Sequence, residues 1–185
     1  MSRAAPVTEG DSALVVVVPE AEPVVGHLRA RHDWVASRGV PAHVTVLYPF
    51  IPRQRIDDEV RDALASLFNG MPAFAYRFES VGRLGRATIV LTPEPVGAFR
   101  RLTDSVHARW PEHPPYGGAF DVVIPHLTVG DGLSVDAARE VEAAARESLE
   151  RHTPVAGWAA FVSLLVADEG WHWSTHSRYP LSSQS

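Results

Sequence analysis

Residues 41–50 read PAHVTVLYPF and residues 124–130 read IPHLTVG, and these two stretches decide the fold. In the first, Val44 and Val46 alternate with His43 and Thr45, the period of a half-buried strand, so the histidine and the threonine share one face. The second repeats the pattern, with His126 and Thr128 alternating with Leu127 and Val129. Each follows a proline-bearing approach. A histidine followed by an apolar residue, then Ser or Thr, then another apolar residue arises by accident at roughly 2% of histidines at ordinary composition. Two occurrences among nine histidines are hard to assign to chance.

The surroundings of the two strands repeat as well. Ahead of the first lie a β-branched run, Leu14 to Val18, closed by Pro19, and a modest helix over about residues 21 to 31. After it, Ile56, Val60, Leu64, Leu67 and Phe68 recur at helical spacing, with Asp57, Asp58 and Glu59 at the start and Gly70 at the end. Phe74, Tyr76 and Phe78 then alternate with small or charged residues, and ATIVL follows GRLGR, which predicts a hairpin. The order restarts with a helix marked by Phe99, Leu102 and Val106, the strand VVIPHLTVG, and an alanine-rich helix from Ser134 to about Glu150. WAAFVSLLVADEGWHWSTHSRY reads as another hairpin turning near Glu169 and Gly170.

Helix, strand, helix, strand, strand thus occurs twice, and the two histidines stand 83 positions apart in equivalent places. A repeated supersecondary unit predicts an α+β, bilobal fold: two similar lobes of antiparallel sheet with outer helices, related by a pseudo-twofold across a cleft. No linker divides the halves, so residues 13–185 are expected to form a single bilobal domain, and residues 1–12 a loose tail.

Composition sets limits. Cysteine is absent, which removes structural disulfides, thiolate zinc sites and cysteine nucleophiles. A reducing cytoplasm is compatible with that. The longest apolar run, Ala13 to Pro19, is far short of the roughly 20 residues a membrane-crossing helix needs, and the N-terminus does not read as a secretory leader. A net charge of -5 argues against a continuous basic face for long nucleic acid, so a phosphate ligand should be small or locally gripped. No cofactor is expected, no membrane partner, and a monomer.

Two His-x-Thr strands have a specific chemical use. Cleaving a phosphodiester with side chains alone requires a base for the attacking oxygen and an acid for the departing one. Two imidazoles with ordinary values near 6.5 can divide that labour at neutral pH. Each threonine hydroxyl can hydrogen-bond a non-bridging phosphate oxygen as charge builds there.

On these residues the chain resembles the two-histidine (2H) phosphoesterase superfamily, in its 2'-5' RNA ligase-like or RNA 2',3'-cyclic phosphodiesterase branch. The resemblance runs from about Ala13 to Tyr179, with both motifs intact. It implies catalytic roles for His43, Thr45, His126 and Thr128 and a metal-independent site. The implied substrates are phosphodiesters: cyclic nucleotides, RNA ends or ADP-ribose-type cyclic phosphates. By analogy His126 is the base for water and His43 the acid, although exchanging them leaves every sequence argument unchanged.

Other residues are weighed as substrate contacts. Tyr48 and Phe50 directly follow the first motif and could stack on a base, or close the core at a strand end. Tyr116 lies in the Pro- and Gly-rich loop of residues 109–120, which could rim a site. Arg83 and Arg86 in GRLGR could clamp phosphate, with Arg86 taken as the candidate, or solvate a hairpin tip. His172 and His176, four apart, share a strand face but lack further ligands at metal spacing.

Overall fold

A computed structural model describes residues 10–152 and 154–183. Its eight strands are β1 (Ser12–Val17), β2 (His43–Leu47), β3 (Phe74–Leu84), β4 (Thr88–Glu94), β5 (Leu127–Gly130), β6 (Val155–Ala159), β7 (Phe161–Ala167) and β8 (Trp173–Pro180). The four α-helices are α1 (Glu22–His32), α2 (Asp58–Asn69), α3 (Val96–Arg109) and α4 (Val135–Arg151). The strands form two four-stranded antiparallel sheets, ordered β2-β1-β7-β8 and β5-β4-β3-β6. This is the two-lobed α+β arrangement the repeat predicts.

Local chemistry explains where the helices begin. Asp57 caps α2 by accepting from the Val60 amide at 2.9 Å, and Ser134 caps α4 by accepting from Ala137. Leu64 and Phe68, one turn apart, bury the inner stripe of α2 beneath β8. Helix α3 packs on β2, α4 on β3, β4 and β5, and α1 on β5 and α4. One apolar core joins these helices to the inner sides of both sheets, and a smaller cluster of Ala13, Val15, Val40, Leu165, Ala167 and Trp173 lies on the other face of the first sheet.

The sheets do not follow the halves of the chain. The β3–β4 hairpin belongs to the sheet of β5, and β7 returns to pair with β1. The run read as one hairpin from Trp158 is cut at Ala160: β6 ends at Ala159 in one sheet, and β7 starts at Phe161 in the other. The second motif strand is also shorter than expected. It begins at Leu127, because Pro125 has no amide hydrogen to give a ladder, and His126 stands one residue ahead of it.

Residues 1–9 of the expected tail lie outside the described residues. Gly10 to Ser12 are tied down: the Gly10 carbonyl accepts from Arg53, the Asp11 carbonyl from Ala167, and Ser12 opens β1. No helix among the described residues is long and apolar enough to cross a membrane.

Candidate active site

Strands β2 and β5 are the edges of their respective sheets, and they adjoin. Each motif therefore lies at the seam between lobes. The local backbone is the same in both. Leu14 pairs with Leu47 and Val15 with Thr45, so Val46 is bulged out of the ladder; Ile89 pairs with Gly130 and Val90 with Thr128, which bulges Val129. A bulge adds twist and re-aims its neighbours, here the threonine and histidine preceding it. The pseudo-twofold thus extends to an irregularity placed 83 residues apart.

The histidines are oriented by one device used twice. Nδ1 of His43 lies 2.8 Å from the Pro41 carbonyl, and Nδ1 of His126 lies 2.6 Å from the Ile124 carbonyl. A carbonyl oxygen can only accept, so each Nδ1 carries the hydrogen and donates, and in the neutral ring Nε2 keeps its lone pair. Both rings are poised to take a proton on the same atom.

Their electrostatic settings differ. Loss of water depresses the basicity of His43 to a pKa of about 4; its hydrogen bond to Pro41 opposes this, while Arg29 and His126 lower it further. Burial also lowers His126, but there the Ile124 carbonyl and the carboxylate of Asp131 both push upward. Asp131 is held by the Thr88 hydroxyl and by its own amide, which donates to the His32 carbonyl at 2.9 Å.

A buried cation braces the seam. Arg29, 2% exposed, donates from Nε to the Thr128 carbonyl at 3.1 Å and from Nη2 to the Val40 carbonyl at 3.3 Å. Asp33, the residue just past the end of α1, pairs with the same guanidinium at 2.9 Å, and Glu22 stands 3.5 Å away. Glu22 also accepts from the Ala42 amide at 2.6 Å, fixing the entry to β2. Burial raises the Asp33 carboxyl, an effect Arg29 opposes. Sequence reasoning missed this group, since a charged residue on a short helix ordinarily reads as solvated.

The expected substrate contacts separate. Tyr116 reaches the site: burial raises its pKa, and the neighbouring Thr45 side chain opposes the rise. Its amide donates to the Tyr48 carbonyl at 2.6 Å, and its φ of 53° is left-handed, a conformation side chains seldom adopt. Phe50 does not reach it. It is 3% exposed and packs edge-on against Trp110, so it closes the core. Tyr48 is half-buried against Trp173 with its hydroxyl on Asp11, and serves the site only through the carbonyl that holds Tyr116. Arg86 stands exposed at the β3–β4 hairpin tip, and Arg83 is committed to Glu142 on α4. His172 falls in the turn before β8 rather than on the strand with His176.

With this geometry in view, relatives are informative. The profile of the 2'-5' RNA ligase superfamily matches residues 17–170, so the chain belongs to that superfamily, whose functions are of the phosphoesterase or ligase type. No protein of curated function matches by sequence. Among solved structures, LigT of E. coli, crystallised with 3'-AMP, superposes with a TM-score of 0.56 at 14% identity over 94% of this chain and 99% of its own. A structure described as a phosphoesterase gives 0.59 at 17% identity over 94% and 99%. TT0787 of Thermus thermophilus gives 0.56 at 18% over 95% and 100%. At such identities these likenesses establish the fold.

Proposed function

We propose that the protein is a phosphodiesterase that opens 2',3'-cyclic phosphates by paired histidine catalysis, with His43, Thr45, His126 and Thr128 as its catalytic residues. The observation that carries this reading is the doubled His-x-Thr seam, in which two rings with the same tautomer stand on adjoining edge strands. One imidazole takes a proton from water as its oxygen bonds to phosphorus. The other gives a proton to O3' as the P–O3' bond breaks, leaving a 2'-phosphate. The threonine hydroxyls donate to the non-bridging oxygens, where negative charge grows.

The charges around the rings favour one division of labour. His43, buried and near Arg29, is held neutral and suits the base; His126, whose burial is opposed by the Asp131 carboxylate, is assigned as the acid. This reverses the assignment offered by analogy. An anionic phosphate between the rings raises both, which brings the acid toward working pH. Tyr116, a neighbour of Thr45, can give its hydroxyl to a phosphate oxygen.

The test is incubation with a nucleoside 2',3'-cyclic phosphate in EDTA, with the product resolved by phosphorus NMR. A single 2'-phosphomonoester is expected. Folded protein that leaves cyclic and linear phosphodiesters intact would refute the proposal.

A further inference from the structure

The last turn of α1 meets both motif segments, and one side chain reaches the two of them. The Arg29 guanidinium gives Nε to the Thr128 carbonyl at 3.1 Å and Nη2 to the Val40 carbonyl at 3.3 Å. Thr128 lies on the His126 strand, and Val40 just ahead of the His43 strand. Beside Val40, Glu22 of the same helix accepts from the Ala42 amide at 2.6 Å. Pro41, whose carbonyl receives the Nδ1 hydrogen of His43, is thereby held from both flanks. On the other side the His32 carbonyl accepts from the Asp131 amide at 2.9 Å, and Gly130 lies so near that an added Cβ would stand 3.1 Å from the His32 Cβ. Helix α1 thus grips β5 on both sides of its bulge.

Stability does not account for this arrangement. The cost of taking an Arg and an Asp out of water often exceeds their attraction, and well-packed apolar residues of similar volume commonly serve as well. Arg29 and Asp33 are nevertheless almost fully buried. What the ion cluster adds over apolar packing is geometry. A guanidinium is a planar fork of five donors. Asp33 accepts from it at 2.9 and 3.2 Å, and Glu22 stands 3.5 Å away, which fixes its plane. Held so, it presents Nε and Nη2 to two carbonyls from distant segments at a set spacing.

We infer that Arg29, locked by Asp33 and Glu22, is a positioning residue that sets the span between the two histidine strands for displacement at one phosphorus. The inference rests on the proposed phosphodiesterase reading and adds to it a residue that touches neither substrate nor reacting atoms. Charge supplies a second signature, because the Arg29 cation disfavours a proton on His43. The other groups around His43 that carry or take charge are His126, just ahead of β5, and Tyr116, beside Thr45. Strand β1 has none, and α3 packs on the opposite face with Val44 and Val46.

Two variants separate span from charge, each assayed below its unfolding temperature. Arg29→Lys keeps the cation and loses the fork, so kcat on a nucleoside 2',3'-cyclic phosphate should fall about ten- to hundredfold with KM little changed, the usual result of misplacing reacting groups by about 1 Å. Arg29→Met with Asp33→Asn removes fork and charge without stranding a carboxylate. Its kcat should fall as far, and its His43 ring, followed by NMR, should take up a proton at higher pH than in the unmodified protein. Arg151→Ala, a surface change on α4, should alter neither. An unreduced kcat in Arg29→Lys, or an unmoved His43 titration in the double variant, overturns the inference. The imidazole NMR signals need no turnover and so distinguish the two readings: in Arg29→Lys those of both His43 and His126 should shift. If the unmodified protein hydrolyses nothing yet both rings respond, the brace stands and the hydrolase reading falls. If the rings do not respond, the brace falls.

Discussion

The β2 and β5 motif strands are built alike and charged differently. Both carry a bulge after the threonine and a carbonyl on Nδ1 of the histidine. Around β2, however, stand the Arg29 cation and Tyr116 beside Thr45; around β5 stands Asp131, while the Thr128 carbonyl accepts from Arg29. On the proposed reading, symmetric backbone would set two like groups about one phosphorus, and unlike charge would make one the base and the other the acid.

The comparison breaks most severely when either ring is removed. His43→Ala and His126→Ala should each lower kcat about 10²- to 10⁴-fold, the usual worth of a general acid or base. The double variant should lose much less than the product of the two, since both act in one displacement. Steady-state rates on a cyclic phosphate check this, and a full rate in either single variant would dissolve the pairing.

Loss of the shared brace comes next. Arg29→Met leaves Asp33 buried without its cation, which should cost about 3–5 kcal/mol of stability. Urea unfolding measures it, and Arg29→Met with Asp33→Asn should recover part of the loss.

Asp131→Asn sharpens the charge difference. Removing the carboxylate removes an attraction that raises His126, so the acid should lose its proton at lower pH. The descending alkaline limb of the kcat/KM profile should move down, while the acid limb, set by His43 well below its ordinary 6.5, should hardly move. Movement of the acid limb instead would return the base role to His126. The smallest effect is expected from Tyr116→Phe, which removes the hydroxyl neighbouring Thr45 and should change KM by a few-fold, consistent with about 1 kcal/mol for a hydrogen bond to phosphate.

Much of this site could be read from residue order. The period of two in HVTV and HLTV put each histidine and threonine on one face, and the Asp57 cap with Leu64 and Phe68 marked α2. What stayed hidden depends on distant partners. Nothing local tells β3 to join the sheet of β5, since strand pairing is decided by contacts across the chain. The bulges at Val46 and Val129 look like ordinary alternation until their neighbours are known. Phe50 has the composition of a stacking residue, and only packing on Trp110 commits it to the interior. Arg29 was obscured for the opposite reason, as charge in a helix ordinarily means water.

The interleaving of strands has a bearing on how the molecule comes apart. Remove everything after α3 and the sheet of β2 loses β7 and β8, while β4 loses its β5 neighbour. Neither half of the polypeptide holds a complete set of ladder partners, so denaturation should proceed as one cooperative event, in spite of a duplicated architecture that invites the picture of two independent units. Separately expressed halves should be unfolded alone and gain order only when mixed.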